Sequence, residues 1–171
     1  MAQALSHICR PLADVARQHT QMKIALVSIT KRRGSAKQGA VDELVAEYLK
    51  RTSRYCAAES REFAEEAALW KNLERAARTA PVVVALDSRG KQMSSEELAA
   101  FIGQHLERGT QELVFAIGPA DGWSQASLER ATQRLSLGRM TLPHELARVV
   151  MAEQLYRAFA ILNHHPYHGG H

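Results

Sequence analysis

Apolar positions along this chain follow two patterns that alternate: short unbroken runs, and longer stretches recurring with a period near 3.6. The runs 24–29 (IALVSI) and 81–86 (PVVVAL) have the length and branched character of strands buried on both faces. A further run, 113–117, predicts a fourth strand, residues 135–140 a fifth, and residues 55–61 the least marked of the set. Between them, helical spacing predicts a helix over 36–51 with Val41, Leu44, Val45 and Leu49 inward, and another over 62–78 with Phe63, Ala67, Trp70, Leu73 and Ala77 along one face. Asp87-Ser88-Arg89-Gly90 reads as a turn. Ser94, with Glu97 three residues on, forms a capping box for a helix that stops at Gly109, and Ser124 starts a short helix. Strand–helix alternation predicts an α/β fold, a mostly parallel sheet with flanking helices, and 171 residues bound it to one domain.

The final helix, predicted over 143–162, is apolar around most of its circumference: Leu146, Val149, Val150, Met151, Leu155, Tyr156, Phe159 and Leu162. A helix of that kind needs cover on more than one side, and in a short chain a partner subunit is the expected second cover. Glu145 with Arg148, and Glu153 with Arg157, have the spacing of local ion pairs. Each arginine is also a site candidate.

Composition narrows the classes. A hydrophobic fraction of 46% and a charged fraction of 23% describe a globular protein, and no apolar run approaches the roughly 18 residues of a membrane span. The net charge of +4 suits a nucleic-acid partner without requiring one. Lys31, Arg32 and Arg33 are either phosphate contacts or a solvated loop. Cys9 and Cys56 form no CxxC pair and read as thiols of a reducing, cytoplasmic setting. Residues 1–21 lack the apolar centre of a secretory signal. They are read as an extension, disordered by default, ahead of a functional start at Met22.

Ligands of open parallel sheets bind beyond the C-terminal strand ends. Three loops meet that description here: Leu86-Asp87, residues 118–122 and residues 137–142. Gly118, Gly122 and Gly138 either make turns or admit close backbone approach to a ligand. Neither a GxGxxG fingerprint nor a GxxxxGK[ST] phosphate loop is present.

Three motifs go further. Thr141-Leu-Pro-His-Glu-Leu-Ala-Arg148, Glu153-Gln-Leu-Tyr-Arg-Ala158 and His165-Pro-Tyr-His168 resemble the RlmH family of ribosomal RNA methyltransferases, in a likeness running from Met22 to His168. The family belongs to the SPOUT class, so the resemblance implies a trefoil-knotted C-terminal half, while the homodimer is the expectation of the apolar final helix. It implies S-adenosylmethionine held by Leu86, Gly118, Leu137, Gly138, Arg139, Met140, Thr141 and Leu142. The implied reaction is methylation of N3 of a pseudouridine in 23S rRNA, within the assembled ribosome. His168 is then the candidate proton acceptor, Tyr167 a stacking and hydrogen-bonding group, and Arg157 a third catalytic candidate. No metal is implied.

Two positions depart from the family pattern. Pro119 stands where a second glycine is usual, removing an amide donor, and Gly169-Gly170-His171 replaces a basic residue after His168. Two other functions stay open on the residues alone: a non-catalytic RNA- or ribosome-binding protein with a degenerate cofactor loop, and a metal hydrolase using the histidine-rich tail.

Overall fold

The computed structural model describes residues 22–30, 39–76 and 79–165. The predicted basic turn, the tail from Pro166 onward and the extension 1–21 lie outside the described residues.

Five strands, β1 (Lys23–Ile29), β2 (Ala57–Phe63), β3 (Val82–Gln92), β4 (Glu112–Ile117) and β5 (Gln133–Ser136), form one sheet in the order β2-β1-β4-β3-β5. Every pairing is parallel. The helices are α1 (Ala40–Thr52), α2 (Glu66–Ala76), α3 (Ser95–Glu107), α4 (Gln125–Arg130) and α5 (His144–Leu162). Alternate residues of β1 divide between two cores. Ile24 and Leu26 join Val45 of α1, Ile102 of α3 and Phe159 of α5, while Ala25, Val27 and Ile29 join Leu69, Trp70 and Leu73 of α2. The sheet is therefore covered on both faces, as all-parallel sheets require.

The capping box is formed as the sequence predicts: the Glu97 amide donates to Ser94 Oγ at 3.2 Å, and the Ser94 amide to Glu97 Oε2 at 2.8 Å. Gly109 follows α3 with φ +71°, the left-handed conformation that ends helices cheaply in glycine.

Four expectations need correction. Leu44 is exposed, because α1 turns only Val45 and Leu49 fully into the core. Glu62 and Phe63 belong to β2, and α2 begins at Glu66 and leaves Ala67 exposed. Leu137–Met140 is loop, since β5 ends at Ser136. The segment 87–90 is not a turn that closes β3: the strand runs on to Gln92, and Leu135 pairs with both Leu86 and Lys91 across an irregularity. The Asp87 carboxylate holds that irregularity, accepting from the Arg89 amide at 2.7 Å.

Gly90 explains how the doubled pairing is possible. A Cβ there would lie 2.6 Å from the Leu135 backbone nitrogen, a contact that only a backbone shift relieves. Gly90→Ala is expected to destabilise the fold by at least the ~1–3 kcal/mol typical of overpacking, read as a lower denaturation midpoint in urea.

The all-round apolarity of α5 also has a different cause from the one predicted. α5 packs against α1 and α3 as well as the sheet, so Met151, Leu155, Tyr156 and Phe159 are covered by their own chain. Only Leu146 among its large apolar residues is exposed. No second subunit is needed to account for the pattern.

Candidate active site

The C-terminal ends of β4 and β5 and the irregularity in the middle of β3 open into a cleft of about 470 Å³. Leu86, Asp87 and Ser88 form one wall, and Ile117, Gly118 and Pro119 with Trp123 another. The third side is Leu135 to Gly138 and Met140 to Pro143, with His144 and Ala147 at the start of α5. All the residues predicted to hold the cofactor line this space except Arg139. Three loops distant in sequence converge here because parallel strands align their C-terminal ends.

Each glycine has its own reason. Gly138 has φ +142° with open space where a Cβ would point, so the requirement is one of backbone conformation. Gly118 is different: a Cβ would meet the Trp123 ring at 2.8 Å. The indole lies directly on it, donating from Nε1 to the Leu86 carbonyl at 3.0 Å. Trp123 thus ties the end of β3 to the loop after β4 and gives the cleft an aromatic wall that the sequence reading missed. Pro119 does not close the cleft, and its carbonyl accepts from the Gly122 amide at 2.9 Å in a tight turn.

Among the described residues Asp87 is the one carboxylate lining the cleft, and its side chain is buried. The Arg89 guanidinium beside it, bonding both its oxygens at 3.2 Å, holds its carboxyl below the usual range. His144, the first residue of α5, has an Nε2 with no hydrogen-bond partner. Neither residue was singled out from sequence. For Asp87 the available signal was an acidic residue directly after the clearest strand, and for His144 its place within the 141–148 motif.

The remaining candidates lie elsewhere. Arg148 is buried, with Nη1 at 2.9 Å from Asp42 and 2.8 Å from Glu145, and Nη2 at 2.9 Å from Glu62. It joins the starts of α1 and α5 to the end of β2. Arg157 pairs with Glu153 at 2.7 Å, thirteen residues beyond His144 on α5, about 20 Å at 1.5 Å per residue. Tyr167 and His168 lie outside the described residues. Among the described residues no cluster of three His, Cys, Asp or Glu side chains could hold a metal, and no helix is long and apolar enough to cross a membrane.

A cleft at parallel strand ends, apolar over most of its walls and free of a phosphate-binding loop, suits a compact ligand held by main chain and a few side chains. The chain matches the family model described as "Predicted SPOUT methyltransferase" over residues 22–168, which defines its class as a methyl-transferring enzyme. It is 57% identical over 150 residues to the "Ribosomal RNA large subunit methyltransferase H" of Koribacter versatilis, covering 88% of this chain and 100% of the relative. The protein of that name from Allorhizobium ampelinum is 40% identical over 162 residues, covering 86% and 99%. A probable methyltransferase of known structure from Bordetella pertussis superposes with a TM-score of 0.48 at 20% identity, covering 85% of this chain and 98% of the other. The chain belongs to the RlmH family of SPOUT methyltransferases.

Proposed function

We propose that this enzyme uses S-adenosylmethionine, bound in the cleft, to methylate N3 of a pseudouridine in 23S rRNA of the assembled ribosome, in the cytoplasm. The observation that carries the reading is the convergence of Leu86, Gly118, Leu137, Gly138 and residues 140–142 on one cleft that opens against the 141–148 motif. The names of the relatives supply the rRNA substrate. Mass spectrometry of 23S rRNA from a strain lacking the gene tests it: one methyl group should vanish from one pseudouridine and return on complementation.

The donor sulfonium is already activated, so the protein's work is to hold the acceptor in line and give its N–H proton a way out. Tyr167 and His168 are the groups proposed to do this. The far end of α5, from which they continue in sequence, lies away from the cleft, and this supports a homodimer. α5 has 19 residues, about 28 Å of helix, and begins at the cleft with His144. His168 lies three residues past His165, a reach of at most about 10 Å. On this reading the tail, which continues from the far end of α5, serves the cleft of a second copy. Light scattering at micromolar concentration should report twice the chain mass, and a stable monomer would remove this arrangement.

The knot of the class belongs to the same reading, with α5 passing between α1 and α3 after β5 has paired outside β3. Residues 1–21 are proposed to be dispensable, since the family match begins at residue 22. A chain starting at Met22 should keep the melting temperature and turnover of the full one.

A further inference from the structure

Beside the cofactor cleft lies a second cavity, of about 390 Å³, over the C-terminal ends of β1 and β4. It is lined by Ile29, Thr30, Asp121 and Glu145, and it shares Pro119, Ala120 and His144 with the cleft. The two spaces therefore adjoin, and among the described residues His144 is the one titratable side chain in the walls of both. The third cavity described sits at the other end of the sheet, against Ala80 and Pro81 ahead of β3, away from the cleft.

A methyl transfer has two substrates whose reacting atoms must meet, so it needs two adjoining spaces with the donor in one. Resting on the methyltransferase reading above, we infer that the second cavity receives the acceptor pyrimidine and that His144 is the side chain that hydrogen-bonds it there. The walls fit a base better than a nucleotide backbone. Asp121 brings a carboxylate that repels phosphate and offers acceptors to ring N–H donors, Glu145 is paired with Arg148, and Ile29 and Pro119 give the ring an apolar bed. The volume is within the range of pockets that enclose small ligands.

The state of His144 supports the assignment independently. Its side chain is mostly buried, its Nδ1 lies 3.9 Å from Glu145 Oε1, too long for a good hydrogen bond, and its Nε2 has no partner at all. Buried imidazole nitrogens are ordinarily satisfied by protein or water. A base in the second cavity supplies the missing partner once the imidazole turns its enclosed Nε2 toward it. His144 is thereby a residue that orients the acceptor relative to the methyl donor, and it need not carry the proton.

The test compares wild-type enzyme with His144→Ala, His144→Phe and His144→Gln, using labelled S-adenosylmethionine and ribosomes from a strain lacking the gene. Cofactor affinity by calorimetry should stay within about twofold of wild type, and melting temperatures should confirm folding. Single-turnover kcat/KM on ribosomes should fall about tenfold or more in the alanine and phenylalanine variants, as expected for one lost hydrogen bond in a desolvated site. Glutamine, which sets an amide near the position of Nε2, should recover part of that loss. Unchanged kcat/KM in the folded alanine and phenylalanine variants overturns the inference. So does a loss of cofactor affinity as large as the loss of turnover, because His144 would then belong to the donor. Wild-type enzyme that transfers no methyl group to these ribosomes overturns the underlying reading itself, a distinct result seen before any variant is made.

Discussion

Gly138→Val is expected to abolish measurable binding of S-adenosylmethionine while the fold survives. The backbone at Gly138 has φ +142°, which a β-branched residue adopts only under severe strain. Open space surrounds the position, so the substitution meets no clash. It acts by pulling the 137–142 loop out of its conformation. Ser136 Oγ both donates to the Gly138 carbonyl at 2.9 Å and accepts from its amide at 3.3 Å, so the distortion spreads to the end of β5. Because Leu137, Met140, Thr141 and Leu142 all line the cleft from this loop, one misplaced residue moves a whole wall. Calorimetry reads the affinity and circular dichroism the fold; undiminished affinity would remove the loop from the site.

Tyr167→Phe and His168→Ala should leave cofactor affinity nearly unchanged and lower turnover on ribosomes by about the 10²–10⁴-fold that a positioned acid–base group contributes. If the tail only adds solubility, neither quantity moves. If it touches adenosine, affinity falls first. The proposed dimer adds a sharper outcome. A chain carrying Gly138→Val and a chain carrying His168→Ala are each expected to be nearly inactive alone. Mixed dimers should regain activity, because one subunit keeps an intact cleft and the other an intact tail. Equilibrium binding beside single-turnover assays separates these cases, and absence of recovery in verified mixed dimers would count against service in trans.

What the sequence disclosed follows the range of the forces involved. β1 and β4 were legible because unbroken apolar runs report burial on both faces directly, and α3 because its capping box and Gly109 are local chemistry. The continuation of β3 was hidden. Asp87-Ser88-Arg89-Gly90 carries every local mark of a turn, and only the distant backbone of Leu135 reveals why Gly90 is needed. β5 starts two residues earlier than predicted, at Gln133, since a strand at the sheet edge tolerates polar residues that obscure its pattern. The apolar circumference of α5 was read correctly but explained by the wrong cover, because nothing in its own sequence tells a neighbouring helix from a neighbouring subunit. Arg148 shows the same limit: its pairing with Glu145 was visible at i,i+3, while Asp42 and Glu62 are partners that only the folded chain brings near. In the candidate site, the glycines and the 137–142 run were readable from motif and strand ends. Trp123, Asp87 and His144 were not, for their part depends on which walls face one another.

The doubled pairing of Leu135 also bears on the order in which the chain assembles. β5 can dock only on a β3 whose irregularity at 87–90 has already formed, and some 45 residues, including α3 and β4, separate the two partners. Contacts of that sequence separation are slow to form because the closure entropy must be met before pairing rewards it. The cleft takes walls from β3, β4, β5 and the start of α5 together, so no fragment ending before α5 completes it. On the proposed reading, affinity for the cofactor comes only with the finished topology, so the cofactor should stabilise that topology over partly folded competitors.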